Sequence, residues 1–292
     1  EEVAAFIPAP LPPTKPRLAI VGSLDERLRA AEQALARLEL AGEMVPSIDW
    51  FIYAFVRKEA VVSSQIEGTQ ATLVDLLTFE AESGEGPRSA DVEEVCNYLD
   101  ALDFARTQLA DSSGLPLSMR LLNKTHARLM QGVRGADKRP GAVRRTQNWI
   151  GGSRPGNATF VPPPPHALGE LLTAFEKYMH ADDDLPPLVR AGLLHVQFET
   201  IHPYLDGNGR MGRLLVTLLL GHRKLLTQPL LYLSLFFKRH RTDYYDRLGA
   251  VLGGLSGVAA IIALIFGWQP ALVAYGVLVA ALWLITTSRH LI

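Results

Sequence analysis

Residues 202–213 read His202-Pro203-Tyr204-Leu205-Asp206-Gly207-Asn208-Gly209-Arg210-Met211-Gly212-Arg213, and this stretch decides how the chain is interpreted. Apolar residues at helical spacing precede it and follow it. We therefore predict a tight loop between two buried helices. Residues 206–209 are of types that tolerate a positive φ, so their backbone can curl and direct successive N–H groups inward.

This loop has the features of a polyphosphate site. The first N–H groups of the helix that follows it lack intrahelical partners, and such a helix start binds anions. Arg210 and Arg213 are three residues apart, so we expect both to lie on one helix face and to reach the same oxygens. A guanidinium group can donate two parallel hydrogen bonds to two oxygens of one phosphate. The number of donors exceeds what one simple anion needs and favours a di- or triphosphate.

Two other side chains of the loop suit chemistry at a phosphate. Asp206 is a hard oxygen ligand, suited to Mg²⁺ that bridges phosphate oxygens. His202 precedes a proline, which predicts an extended backbone at the end of its helix. The ordinary pKa of histidine, about 6.5, suits a general base near neutral pH. A lone histidine at a helix end is more often structural, but the combined pattern favours a catalytic site.

Residues 202–213 resemble the signature of the Fic (Fido) family, whose members transfer AMP from ATP to protein hydroxyl groups. The resemblance implies that His202 deprotonates a Ser, Thr or Tyr hydroxyl of a target protein and that Asp206 holds Mg²⁺. Self-modification would use the same chemistry. Tyr204 stands where the family more often has Phe. Gly209 stands where a kinase-like branch has Lys, which favours nucleotidyl transfer.

The same resemblance implies a set of ATP-binding residues, with the loop around the phosphates and the remainder near the nucleotide. This set is Asn148, Trp149, Ile150, Gly151, Gly207, Asn208, Gly209, Arg210, Arg213 and Tyr244. The glycines and Asn208 would cradle the α- and β-phosphates, and the arginines would hold the distal phosphates. Tyr244 would contact the base or ribose, or else be a half-buried helix residue.

A second motif, Ser63-Ser64-Gln65-Ile66-Glu67-Gly68, resembles the inhibitory motif of the family. The resemblance implies that Ser63, Glu67 and Gly68 form a brake, in which Glu67 pairs with Arg213 and takes the place of the γ-phosphate. A glutamate in the last turn of a helix faces the negative end of the helix dipole, at a cost of roughly 0.3–1 kcal/mol. We therefore expect a compensating cation.

Two alternatives to an autoinhibited adenylyltransferase stay open. Some relatives with the inhibitory glutamate also remove AMP, so a hydrolase or a dual-activity enzyme fits the same motifs. A nucleotide-binding module tethered to a membrane and without transfer activity is the alternative outside enzymes. An intact His202 and a complete loop argue against the last.

Residues 147–161 are predicted to form a hairpin, because two apolar segments flank a turn rich in Gly, Pro and Asn. Four prolines, residues 162–165, close it. By resemblance this hairpin is the flap that covers the nucleotide and pairs with the backbone of the target peptide. The alternative is a hairpin that packs Trp149 and Phe160 into the core.

The fold class predicted for the chain is mainly α: a Fic-type helical bundle with a small β-hairpin flap and an apolar C-terminal helical segment. Helical periodicity begins at Ser23, a predicted N-cap, and a second helix follows Pro46 and runs to Glu67. Thr72 and Asp75 resemble a capping box for a third helix. Further helices are expected near residues 90–110, 116–131, 166–180, 187–201, 211–225 and 231–247.

We predict three regions: an N-terminal arm with the inhibitory helix (1–80), a Fic catalytic domain (81–251) and an apolar tail (252–292). The formal net charge of −1 argues against nucleic-acid binding driven by charge. A hydrophobic content of 48% excludes a disordered chain. The single cysteine, Cys96, excludes an internal disulfide framework. A monomer and a homo-oligomer both fit these data.

Residues 248–287 contain no Asp, Glu, Lys or Arg. About 20 apolar residues suffice to cross a bilayer, so residues 252–287 are a candidate membrane anchor. Basic residues before this segment favour a cytoplasmic catalytic domain. A buried core segment, and a tail foreign to the domain that begins near Leu252, are the alternatives.

Overall fold

The computed structural model describes residues 3–14, 17–44, 48–82 and 89–252. The described residues contain ten α-helices and two short 3₁₀ turns, Pro155–Asn157 and Pro165–Ala167. The helices are α1 (Ser23–Glu43), α2 (Ile48–Ile66), α3 (Leu73–Ala81), α4 (Ala90–Ala110), α5 (Met119–Leu129), α6 (Leu168–His180), α7 (Pro187–Ile201), α8 (Asn208–His222), α9 (Leu233–Arg239) and α10 (Arg241–Leu252).

Helices α7 and α8 form the centre of the bundle. Both are buried around almost their whole circumference, as expected for helices with apolar residues on every side. They pack against each other, α6 covers α7, and α4 covers α8. Helix α2, which ends in the inhibitory motif, packs against α4, α8 and α9. The loop at 202–207 is therefore fixed at one end of a rigid helix pair, beside the end of α2.

Several local predictions are confirmed. Helix α1 buries Leu24, Leu28, Ala31, Leu35 and Leu38, the residues whose spacing predicted it. The predicted helices at 90–110 and 187–201 have these bounds in the structure. The capping box is present, because the Thr72 side chain accepts from the Asp75 N–H and the Asp75 side chain accepts from the Thr72 N–H.

Two predictions about helix ends are corrected. Gly22, and not Ser23, is the N-cap of α1, and it provides no side-chain cap. The expected helix at 231–247 is two helices, because the backbone leaves helical geometry at His240 (φ −113°, ψ 40°). The break turns α10 back toward α7, against which it packs.

The predicted β-hairpin flap is also corrected. Among the described residues, 147–161 contain one antiparallel bridge, between Ile150 and Phe160, and no strand. Prolines 162–165 have no N–H to extend a ladder. The Gln147 side chain instead donates to the Pro162 carbonyl at 2.8 Å. The flap is thus a loop pinned by one residue pair.

No helix in the described part of the chain is long and apolar enough to span a membrane. The predicted tail lies outside the described residues from position 253 onward. The membrane segment, and the boundaries at 80/81 and 251/252, stay predictions.

One buried carboxyl joins α2 to α9 and generates a stability prediction. Glu59 accepts from the Ser234 N–H at 3.0 and 3.2 Å and from the Ser234 hydroxyl. Burial raises the pKa of Glu59 from its ordinary 4.5 to about 7. Between these pH values the folded protein holds a proton that the unfolded chain releases, so the free energy of unfolding falls as pH rises.

Glu59→Gln removes this titration. We expect the free energy of unfolding of the unsubstituted protein to fall relative to the variant by about 1.4 kcal/mol per pH unit within that window. Above pH about 7 the difference should become constant. Urea unfolding of both proteins between pH 5 and 8 measures it. A difference that does not vary with pH would contradict the assignment.

Candidate active site

His202 lies at the end of α7 with one ring nitrogen held and the other free to react. The Nδ1 atom is 3.3 Å from the Glu199 carbonyl oxygen, which can only accept, so Nδ1 carries the proton. The Nε2 atom then presents its lone pair. Burial lowers the pKa of His202 to about 4, so the ring is neutral at pH 7 and able to accept a proton.

The extended backbone predicted for His202 is wrong. Its φ of 50° and ψ of 62° place it in the left-handed region. His202 is the C-cap of α7, and its N–H still donates to the Phe198 carbonyl. The left-handed turn at the helix end outweighs the preference that Pro203 imposes on the preceding residue.

The loop is closed by the side chain of Asn208. Its Oδ1 accepts from the Tyr204 N–H at 2.9 Å, and its Nδ2 donates to the Tyr204 carbonyl at 2.9 Å. His126 of α5 stacks on the Tyr204 ring, with 3.8 Å between ring centroids, and its Nε2 lies 3.0 Å from the Asp206 carbonyl. The side-chain amide of Asn208 therefore shapes the loop, and the backbone N–H of Asn208 lies at the start of α8.

Asp206 presents a carboxylate that suits Mg²⁺. One oxygen accepts from the Gly207 N–H at 2.6 Å. The other lies where a Cβ at Gly135 would meet it, at 2.7 Å, so Gly135 leaves room for the carboxylate. The described residues contain no cluster of three or more His, Cys, Asp or Glu that could hold a metal. Mg²⁺ commonly uses one or two carboxylates and completes its shell with water and substrate phosphates, and Asp206 fits that mode.

Arg213 and Glu67 form the ion pair that the inhibitory motif predicts. Arg213 Nη2 lies 2.7 Å from Glu67 Oε1 and 3.0 Å from the Ser63 carbonyl, and Nε donates to the Ser63 hydroxyl at 2.9 Å. Burial opposes ionisation of Glu67, but the guanidinium of Arg213 holds the pKa of Glu67 below its ordinary value. The Arg213 side chain is 1% exposed and that of Glu67 is 31% exposed.

The end of α2 aims Glu67 at the start of α8. The Thr69 N–H donates to the Ser64 carbonyl and the Gly68 N–H to the Gln65 carbonyl, with Gly68 at φ 99°. These bonds form a Schellman motif, which requires a residue such as glycine in the left-handed region. A Cβ at Gly209 would overlap the Glu67 carboxylate. Glu67 therefore occupies the positive end of the α8 dipole.

Arg210 bonds a different carboxylate from Arg213, and the prediction that both arginines reach the same phosphate oxygens stays a prediction. Its Nη1 lies 3.5 Å from Glu94 Oε2, and its Nη2 lies 3.3 Å from the sulfur of Met130. The Nε atom is buried without a hydrogen-bond partner among the described residues. Arg210 thus keeps a spare donor beside the loop.

The predicted residue of α10, Tyr244, is buried, and its neighbour Tyr245 is not. Tyr244 is 4% exposed, its hydroxyl lies 3.2 Å from His195 Nε2, and its ring stacks on Phe237. The Tyr245 side chain is 41% exposed. Burial and the nearby Glu67 carboxylate raise the pKa of Tyr245. Tyr245 is therefore the exposed residue of the pair near the Glu67–Arg213 ion pair, and the Arg241 guanidinium lies over its ring at 5.6 Å.

The predicted residues of the flap reach the loop through a single side chain. Asn148 Nδ2 donates to the Tyr204 carbonyl at 3.0 Å. Trp149 is exposed and Ile150 is half-buried. Gly151 has φ 70°, and a Cβ there would overlap the Thr159 hydroxyl. The structure therefore connects Asn148 to the candidate site, while Trp149 points toward solvent.

Comparison with known proteins agrees with this geometry. Residues 26–107 match the description "Fic/DOC family N-terminal", and residues 116–220 match "Fic/DOC family". Together these matches cover more than half of the chain. The chain belongs to the Fic/DOC family.

Curated relatives of this Fic chain are named as adenylyltransferases. "Protein adenylyltransferase Fic" of Culex quinquefasciatus is 29% identical over 190 residues, which is 63% of this chain and 34% of the relative. A "Probable protein adenylyltransferase" of Aquifex aeolicus (strain VF5) is 35% identical over 69 residues, 24% of this chain and 22% of the relative. The matched region covers between 15% and 39% of the length of these curated relatives.

Solved structures share the fold. A Fic family protein from Desulfovibrio desulfuricans G20 superposes with a TM-score of 0.72 at 22% identity, over 89% of this chain and 75% of that one. Residues 134–508 of Fic-1 from C. elegans superpose with a TM-score of 0.64 at 19% identity, over 91% of this chain and 73% of that one. At these identities the likeness establishes the fold of the Fic chain.

Arg144 is a residue of the Fic site that sequence reasoning missed. The side chain is buried, and its donors go to the carbonyls of His202 (2.9 Å), Pro163 (2.6 Å), Ile201 (3.3 Å) and Thr146 (3.3 Å). It therefore ties the left-handed turn at His202 to the base of the flap. Arg144 and Arg145 are adjacent, and no motif in the sequence indicates which of the two is buried beside the loop.

Replacing Arg144 by Met should expose the importance of this contact. The substitution leaves four carbonyls without this donor, and each unsatisfied buried group costs about 1–3 kcal/mol. We expect the free energy of unfolding to fall by about 3 kcal/mol. Arg145→Met, at the exposed neighbouring position, should change it by less than about 0.5 kcal/mol. Equal losses in urea titrations of the two variants would contradict the role given to Arg144.

Proposed function

We propose that this Fic chain is a protein adenylyltransferase that transfers AMP from ATP to a hydroxyl side chain of a target protein and is restrained by Glu67. The observation that supports it is the position of Glu67. Its carboxylate bonds Arg213 at the start of α8, the place where a phosphate anion would be expected to bind. The names of the curated relatives support the same reaction.

The proposed reaction is a displacement at the α-phosphorus of ATP. The hydroxyl oxygen of the target forms a bond to that phosphorus, and the bond from phosphorus to the bridging oxygen of pyrophosphate breaks. The hydroxyl proton goes to Nε2 of His202, the nitrogen that carries the lone pair. Such a base contributes on the order of 10²–10⁴ in rate, and fixed donors around the phosphates supply most of the remainder.

The loop and its arginines are proposed to bind the phosphates. The backbone N–H groups of Asn208 and Gly209 lie at the start of α8, where they can donate to an anion. Gly207, whose own N–H bonds the Asp206 carboxylate, is proposed to line the same phosphate loop. Arg210, one residue further along α8, has a buried Nε without a hydrogen-bond partner among the described residues. Asp206 would hold Mg²⁺, which neutralises phosphate charge when bound. Asn148 is proposed to hold the flap against the loop.

The proposed brake follows from charge competition at Arg213. With Glu67 in place, a γ-phosphate would meet a carboxylate where it needs a cation. The Glu67 side chain is partly exposed and can leave, whereas Arg213 is fixed by Ser63. The target residue would be Ser, Thr or Tyr, including such residues of the chain itself. Placement in the cytoplasm and a tail anchor stay proposals that rest on the sequence.

Transfer can be tested with ATP labelled on the α-phosphate in the presence of Mg²⁺. We expect faint labelling of the chain itself or of lysate proteins by the unsubstituted protein. Glu67→Gly should raise it by at least about tenfold, because loss of a charged hydrogen bond shifts an equilibrium by that order. Glu67→Gly combined with His202→Ala should abolish it, because the proton acceptor is gone.

Equal labelling by all three proteins would remove the mechanism. Release of label from a target modified beforehand would instead favour the AMP-removing activity. ATP labelled on the γ-phosphate serves as the control, because adenylyl transfer leaves no γ label on protein.

The two tyrosines of α10 provide a second test, in the Glu67→Gly background. Tyr245→Ala should raise KM for ATP by about tenfold with little change in kcat, since stacking on a base is worth about 1–3 kcal/mol. Tyr244→Phe removes only the hydroxyl that bonds His195 and should leave KM unchanged while lowering Tm. If Tyr244→Phe raises KM for ATP and Tyr245→Ala leaves it unchanged, Tyr244 and not Tyr245 contacts the base.

A further inference from the structure

The turn that follows Glu67 is held from a second side, by groups outside the inhibitory motif. The Thr69 hydroxyl donates to Glu94 Oε2 of α4 at 2.6 Å, in a buried position. The Gln70 N–H donates to Asp91, one turn earlier on α4, at 2.8 Å. The start of α4 therefore binds the chain within three residues of the inhibitory glutamate.

Arg134 completes this arrangement from the loop after α5. Its Nη2 donates to the Glu67 carbonyl at 3.1 Å, and its Nε lies 3.6 Å from Glu94 Oε1. One guanidinium thus spans the backbone of Glu67 and the carboxylate that holds Thr69. We call Thr69, Glu94 and Arg134 the clasp.

Glu94 has a physical reason to retain the turn. Its side chain is 3% exposed, and a buried carboxylate must be compensated by charge or hydrogen bonds. The contacts with Arg210 and Arg134 are long, at 3.5 and 3.6 Å, whereas the bond from Thr69 is short. If the turn moves away, Glu94 loses its best donor. Movement of the turn that takes Glu67 away from Arg213 is therefore also opposed by the loss of the hydrogen bond from Thr69 to Glu94.

We propose that the clasp is a second restraint on the inhibitory turn, so that Glu67 leaves Arg213 only when Thr69 and Arg134 also release. This inference rests on the proposed function. It also connects both arginines of the loop to the brake, because Glu94 bonds Arg210 and Glu67 bonds Arg213. Weakening the clasp releases transfer activity while the inhibitory glutamate and both arginines stay intact.

The test measures labelling from ATP carrying the α-phosphate label, with Mg²⁺, in variants that keep Glu67. Thr69→Val removes the short bond and should raise labelling by about tenfold, toward the Glu67→Gly level. Thr69→Ser keeps a hydroxyl and should label as faintly as the unsubstituted protein. Arg134→Gln removes longer, exposed contacts and should raise labelling by about two- to threefold.

Matched controls exclude general effects of these substitutions. Thr173 of α6 donates its hydroxyl to the Gly169 carbonyl at an exposed position. Arg128 of α5 forms an exposed ion pair with Asp100. Thr173→Val and Arg128→Gln should leave labelling unchanged. Thermal unfolding of every variant identifies any that does not fold, in which case Arg134→Gln, at an exposed position, decides.

Amide hydrogen exchange of residues 64–69 gives a readout that does not need catalysis. Thr69→Val and Arg134→Gln should speed exchange of the Gly68 and Thr69 amides, and the two controls should not. If Glu67→Gly labels strongly while both clasp variants stay faint, the clasp proposal is overturned and the proposed function stands. If the Glu67→Gly variant produces no labelling either, the proposed function fails. The clasp is then judged by hydrogen exchange alone, and unchanged exchange of the Gly68 and Thr69 amides in Thr69→Val and Arg134→Gln overturns it.

Discussion

A buried guanidinium at the start of α8 is the constraint on which this site depends. Arg213 is enclosed by α2 and α8, and a charge in such a place must be paired. The brake and the proposed substrate offer the same compensation, a carboxylate or a phosphate. Under the proposed function both anions would use the same guanidinium, so inhibition and substrate binding would exclude each other. The Schellman turn at Gly68 supplies the geometry that lets Glu67 compete.

Features encoded over a few residues could be predicted from the sequence. The loop at 202–207 with the start of α8, the end of α2 before Gly68 and the capping box at Thr72 depend on contacts between near neighbours. The ion pair between Glu67 and Arg213 joins residues 146 positions apart, and the family resemblance predicted it where spacing could not. The hairpin failed for a local reason, since residues 162–165 have no donors with which to extend the single bridge.

Contacts between distant helices could not be predicted. Arg144, Glu94 and His126 carry no motif, and their importance follows from what the fold places beside them. Tyr244 and Tyr245 are adjacent in sequence, so spacing could not decide which would face the site. The break at His240 sets the rotation of α10 and decides it. The sequence around Glu94 does not show whether this helix glutamate is buried or exposed to solvent.

The two arginines of the loop have partners of opposite character, and this suggests a division of labour. Glu94 is buried and accepts from Thr69, and its contact with Arg210 orients that side chain. Glu67 is partly exposed and bonds Arg213 directly. In the proposed function an incoming phosphate would displace Glu67 once the clasp releases, whereas displacement of Glu94 would leave a buried charge without compensation. The site is therefore built to exchange its anion at Arg213 and to keep Arg210 in place.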